Sequence, residues 1–165
     1  KRLEIYKCKN FPDKWDLYST AFEGEEVADV NYYRDDKGER WIFLNRGFNN
    51  NHNNELYLYR IDSLKFEKIE EHKSNPVIID SRIGRNAGAI FKYKDKIIRP
   101  SQNNSKGVYG YSLNLNEIIN LTIDDYSEEK FISVEPNFDR NLKGIHHLHQ
   151  IEDKFVFDAC LKIKV

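Results

Sequence analysis

The feature that most limits what this chain can fold into is a strand, tight turn and strand that recurs three times. Val27 to Tyr33 meets a turn at Asp35 to Gly38 and continues into Arg40 to Leu44. Ala87 to Tyr93 turns at Lys94 and Asp95 into Lys96 to Arg99, and Ile145 to Ile151 turns at Glu152 and Asp153 into Lys154 to Phe157. Each pair joins runs rich in β-branched and aromatic residues through short polar turns, the local signature of a hairpin. Asp36, Asp95 and Asp153 hold equivalent turn positions, at a period of roughly 60 residues against the ~40–50 of common propeller blades.

Further strand-like runs lie between the hairpins: Glu55 to Arg60 and Lys65 to Ile69 after the first, Gly107 to Leu113 and Lys130 to Val134 after the second. Four strands per unit is the formula of a propeller blade. Ahead of the first unit, Leu3 to Lys7 and Lys14 to Tyr18 read as the outer two strands of a blade. Behind the last, Phe155 to Phe157 is followed by one short strand from Cys160 to Val165. A single helical turn is expected at Asn116 to Asn120, too short to change the class. The sequence therefore predicts one all-β domain in four parts, with four-stranded antiparallel blades at residues 25–72 and 73–138, the end of a blade at 1–24 and the start of another at 139–165. Such an array is incomplete, because a propeller removes its exposed sheet edges by closing on itself. Closure calls for a complementary chain, a second copy of this one, or a longer protein of which this is a fragment.

Composition narrows the partners. With 26 Lys+Arg against 27 Asp+Glu and a formal charge of -1, the chain lacks the basic field that attracts nucleic acid, so no such partner is expected. No apolar run reaches the ~20 residues of a membrane helix and the first residues form no signal-peptide core, which predicts no membrane span and a cytoplasmic location. Cys8 and Cys160 stand far apart with no CxxC or Cys/His spacing, a pattern expected of two unpaired, buried thiols rather than a disulfide or a structural zinc site. Dinucleotide, P-loop and nucleophile signatures are absent, so no cofactor is expected.

Candidate site residues cluster around the repeated hairpins. Asp29 sits on the first strand of a unit, where a carboxylate either orients a sugar or caps a turn. Arg82 and Arg85 precede a strand containing Gly88; they suit a bidentate grip on an anion, or equally ion pairs with neighbouring loop acids. Arg99, Gln102, Asn103, Asn104, Tyr109 and Tyr111 combine planar hydrogen-bonding groups with flat aromatic faces, the mixture a saccharide site uses. The run Asn49 to Asn54 reads as a hairpin connection. Strand alternation sends His147 and His149 to one face and His146 to the other, and without a carboxylate at matching spacing no metal site is expected. Asp158 ends the next strand, placed to hold a histidine tautomer across the hairpin.

The order of short motifs also carries a resemblance. His72, Asn75, Pro76 and Val77, then Arg85 to Gly88, Arg99 to Gln102, Tyr109-Gly110, Gly144 to His146 and Phe157-Asp158 resemble the N-terminal propeller domain of glucosamine inositolphosphorylceramide transferase-like proteins and related bacterial proteins. Cys8 to Trp15, with Asn10, Phe11, Pro12 and Trp15, is similar to that family's F-P-x-x-W strand. The likeness spans nearly the whole chain, with Asn86, Asn103 and His147 as departures. It extends distantly to five-bladed propeller glycosidases of the arabinanase and β-xylosidase kind. That resemblance implies the C-terminal part of a five-bladed propeller, in which Asp29 would match the middle of three catalytic carboxylates. Arg85 and Asn86 stand where the third is expected, and a guanidinium cannot serve as a general acid. The implied function is carbohydrate binding or glycan processing in bacterial surface-polysaccharide or glycolipid synthesis, with a saccharide or sugar-phosphate ligand at Arg85, Arg99, Gln102, Tyr109, His146, His147 and Asp158. A divergent glycosidase or glycosyl-transfer domain and a protein-interaction scaffold are the alternatives.

Overall fold

A computed structural model describes residues 1–47 and 51–161. Its strands are β1 (Leu3–Asn10), β2 (Lys14–Ala21), β3 (Val27–Arg34), β4 (Arg40–Arg46), β5 (Glu55–Ile61), β6 (Ile69–Glu71), β7 (Ile78–Ile79), β8 (Phe91–Tyr93), β9 (Lys96–Asn103), β10 (Ser112–Leu121), β11 (Tyr126–Val134), β12 (Leu142–Gly144), β13 (Leu148–Ile151), β14 (Lys154–Phe157) and β15 (Cys160–Leu161). No helix occurs among the described residues, and none is long and apolar enough to cross a membrane. The chain is all-β, built from several antiparallel sheets.

Two of these sheets are four-strand meanders in chain order, β3-β4-β5-β6 with β7 added against β5, and β8-β9-β10-β11. Hairpins β1-β2 and β13-β14 flank them, and β12 pairs with β15. The described sheets do not close into a ring. Turn chemistry sets the hairpins. Asp35 accepts the Glu39 N–H and the Trp41 indole N–H at 2.9 and 3.1 Å, and Lys94 and Glu152 take positive φ at the first position of their two-residue turns, as primed hairpin turns require.

Strand β4 shows how the sheets stack. Trp41, Ile42, Phe43 and Leu44 are all buried, and alternation sends successive side chains to opposite faces. Trp41 and Phe43 join Tyr33, Leu56, Leu58, Ile90 and Ile118 in the core between the two large sheets. Ile42 and Leu44 join Tyr59, Ile61, Phe22 and Phe66 on the side of the first hairpin. A third cluster of Ala87, Leu113, Ile145 and Leu148 seats the last hairpin on the second sheet. The sheets therefore pack face to face in chain order.

Several local expectations are corrected. The helical turn at Asn116 to Asn120 is strand: β11 pairs along it and β9 pairs at Asn116 and Glu117, and this pairing overrides the local preference. Lys65 to Ile69 is a turn through Phe66 at φ 58, with β6 starting only at Ile69. Gly107 and Gly110 take positive φ, so Tyr109 lies in a turn before β10 rather than on a strand. The segments from Ala87 and from Ile145 become regular strand only at Phe91 and Leu148. Cys8 is half-buried and Cys160 exposed, against the expected pair of buried thiols. Of the strand expected from Cys160 to Val165, residues 162–165 lie outside the described residues, as do Asn49 and Asn50.

Candidate functional site

Three chain segments distant in sequence converge at one end of the stacked sheets. Strand β3 carries a register shift between Ala28 and Asn31, and Asp29 there takes φ 47. A bulge of this kind re-aims a side chain, and Asp tolerates the left-handed region better than most residues. The Asp29 carbonyl accepts a hydrogen bond from Asn86 Nδ2 at 2.9 Å. The Ala87 carbonyl next along accepts one from Leu148 N at 2.8 Å. Gly88 makes the second junction possible: it has φ 124, and a Cβ there would lie 1.8 Å from the Leu148 carbonyl oxygen.

On this junction five side chains form a continuous line. Arg85 Nε donates to Asp29 Oδ2 at 2.6 Å and Arg85 Nη1 to Asn53 Oδ1 at 2.8 Å. The guanidinium lies 4.8 Å from the centre of the Tyr109 ring, within cation–π range. Tyr109 in turn meets His146 edge-on at 5.2 Å. Asp158 Oδ2 sits 2.5 Å from His146 Nδ1, and its Oδ1 accepts the backbone N–H of His146 and His147 at 3.1 and 2.9 Å. Asp158 thus lies against the Nδ1 side of the ring and holds the backbone of the same segment. Gly110 permits the approach, since a Cβ there would come 2.3 Å from His146 Cβ. Tyr109 stays 53% exposed, so the line presents an aromatic face rimmed by hydrogen-bonding groups. A shallow cleft lined by Gly107, Val108, Tyr109, Lys143, Gly144 and Cys160 borders it.

The guanidiniums are already partnered. Arg82 is bonded to Asp80 at 2.6 Å as Arg85 is to Asp29, so of the two readings the sequence left open for this pair, ion pairing with nearby acids is the one the geometry realises. The Arg82 hydrogen bond holds Asp80 below the usual carboxylate range. Formal charge along the line nearly cancels.

Two sequence-predicted site residues lie beneath this surface. Arg99 is fully buried, with Nη2 2.6 Å from Glu128 Oε1 and further bonds to Asn86 Oδ1 and the Ile83 carbonyl. Burial opposes its charge, and Glu128 more than offsets this, leaving the guanidinium more firmly protonated than usual. Gln102 is 2% exposed and donates to the Asn86 carbonyl at 3.0 Å. His147 is exposed and meets Asp158 only through its backbone. His147 precedes β13, so strand alternation does not set the face it shares with His149; among the described residues no group of three or more His, Cys, Asp or Glu is arranged to hold a metal ion.

Sequence reasoning missed the amides. Asn45 donates from Nδ2 to the Glu55 and Gly84 carbonyls and accepts the Asn86 N–H. Asn86 bonds Asp29, Phe43 and Arg99, so the residue noted as a departure from the family pattern is the pin between the two large sheets. Asn75 Oδ1 and Nδ2 bond the Leu58 N–H and carbonyl, both at 2.9 Å, standing in for a missing strand. The one available signal was Asn at the end of an otherwise apolar strand, at Asn45.

These observations define a class: an all-β protein of repeated antiparallel sheets, with a polar and aromatic surface where successive units meet. The family model for the N-terminal region of glucosamine inositolphosphorylceramide transferase 1 matches residues 1–156, and the chain belongs to that family. Comparison with curated proteins and with solved structures finds no match.

Proposed function

We propose that this chain is a carbohydrate-recognition module of a glycan- or glycolipid-building system, and that a saccharide docks on Tyr109 between Arg85 with Asp29 on one side and His146 with Asp158 on the other. The observation that carries this reading is the unbroken line of contacts among those five residues, drawn from separate sheet units onto one exposed aromatic. Sugars are recognised by such a flat apolar face beside convergent planar hydrogen-bonding groups. The family name, which refers to transfer of a sugar onto a glycolipid, supports the same class of ligand. Both carboxylates of the line are engaged, Asp29 by Arg85 and Asp158 by His146 and two backbone N–H groups. Inverting hydrolysis needs an acid and a base free to face a scissile bond, so recognition fits this geometry better than a divergent glycosidase.

Saturation-transfer NMR over a panel of neutral monosaccharides and sugar nucleotides tests the site. The wild type is expected to give signal with at least one neutral sugar, and Tyr109→Ala to abolish it without lowering the melting temperature by more than a few degrees. Signal that persists in Tyr109→Ala places the ligand elsewhere.

A second reading, that the sheets are propeller blades completed by further blades or another copy, rests on the flanking hairpins. Phe11, Trp15 and Tyr6 on the first and Phe155 and Val156 on the last are 80%, 50%, 51%, 45% and 56% exposed, more apolar surface than a sheet face usually leaves to water. Light scattering across a concentration series separates a self-associating chain from one that stays monomeric.

A further inference from the structure

Arg85 and the Tyr109 turn lead directly into a second cleft, lined by Asn53, Asn54, Ile79, Asp80, Ser81 and Asn104. Two hydrogen bonds join it to the Tyr109 surface: Arg85 Nη1 to Asn53 Oδ1 at 2.8 Å, and the Gly110 N–H to Asn104 Oδ1 at 2.7 Å. Its far wall is tied in by the Asn104 N–H, which donates to the Ser81 carbonyl at 2.9 Å. Asn104 Nδ2 is buried and makes no hydrogen bond among the described residues, an arrangement that costs free energy. Ile79, 68% exposed, adds an apolar patch beside three amides, a hydroxyl and a carboxylate already neutralised by Arg82. Amides that both donate and accept, next to a small apolar face, match the vicinal hydroxyls and C–H face of a neutral sugar ring.

We infer that this cleft is a second sugar subsite, so that the ligand is a chain of at least two neutral units running from Tyr109 past Arg85 into the amide cleft. The inference rests on the saccharide reading of the Tyr109 surface. It also gives Arg85 a role at the boundary between the two units, because it bonds Asn53 of the cleft and lies over the Tyr109 ring.

Calorimetric titration with β-linked glucose, xylose and N-acetylglucosamine oligomers of one to four units tests it. In one of these series the two-unit ligand is expected to bind about three- to tenfold more tightly than the single unit, the gain that one or two added hydrogen bonds supply. The double variant Asn54→Ala with Ser81→Ala, and separately Ser81→Trp to fill the cleft, are expected to erase that gain and leave single-unit binding unchanged. Equal affinity for one and two units, or a gain that survives in both variants, overturns the subsite while the Tyr109 reading stands. If no member of any series binds the wild type, the Tyr109 reading fails and the subsite fails with it.

Discussion

Arg99 and Arg85 lie fourteen positions apart, both ion-paired, both bonded into the junction between the same two sheets, and they do opposite things. Arg99 and Glu128 have 0% and 4% side-chain exposure; Arg85 and Asp29 have 15% and 33%. The first pair is sealed among carbonyls and amides, with four hydrogen bonds from the guanidinium to Glu128, Asn86 and the Ile83 carbonyl. The second sits on the outside of the same junction, stacked on an exposed tyrosine, with donors left over. The comparison teaches that a conspicuous arginine in a motif string identifies the junction, and that only depth decides whether it is scaffold or contact surface.

The largest expected effect breaks the buried side. Arg99→Ala strands Glu128 in the interior, a loss of about 3–5 kcal/mol for a broken buried pair. For a chain of this size that lowers the melting temperature by roughly 10 °C, measurable by differential scanning calorimetry, and Arg99→Lys is expected to recover little because it cannot reproduce the forked contacts. A variant that melts within a degree or two of wild type would show that the junction does not depend on this pair. Next in size is Gly88→Ala. The added Cβ collides with the Leu148 carbonyl oxygen at 1.8 Å in a backbone of φ 124, so the last hairpin must separate from the second sheet at a cost of roughly 1–3 kcal/mol. Amide exchange is expected to accelerate at Leu148 first.

Arg85→Ala sharpens the contrast from the exposed side. Loss of a partly exposed ion pair costs about 1 kcal/mol or less, so the melting temperature should fall by no more than a few degrees, while sugar binding at the Tyr109 surface drops about tenfold or more. A large stability loss with binding intact in the folded fraction would place Arg85 with Arg99 as scaffold.

The sequence disclosed the hairpins because turn chemistry and alternation are local: Asp35, Lys94 and Glu152 sit at the turns they promise, and Arg40 to Leu44 is strand. Asp29, Arg85, Tyr109, His146 and Asp158 were also selected from residue type and position, and the structure strings them together. What stayed hidden depends on depth and on contacts across sheets. Nothing local distinguishes Arg99, whose partner Glu128 is two strands away, from Arg85, whose partner comes from another sheet. Asn116 to Asn120 looked helical because it is pairing with β11, and with β9 at its start, that makes it strand. The structural roles of Asn45, Asn75, Asn86 and Asn104 carry no local mark, since an amide's worth here lies in bonding backbone that is remote in sequence.

The smallest expected effect separates scaffold from surface by pH. His72 belongs to a motif string that resembles a site, yet it is 2% exposed, with Nδ1 accepting the Ser74 N–H at 3.1 Å and Nε2 buried without a well-formed hydrogen bond. Burial depresses its pKa below the usual 6.5, and the nearby Asp125 carbonyl and carboxylate only partly oppose this. In the window just below 6.5 the unfolded chain therefore binds more protons than the folded one, and stability falls as pH falls. Above that window the neutral ring contributes in full, and below the folded pKa the loss levels off. Melting temperatures recorded from pH 8 down to 5 should decline through this window by less than any substitution above produces. In His72→Gln the decline should be shallower, because the titrating ring is gone. An unchanged slope would assign the acid sensitivity to groups outside the His72 and Asn75 corner.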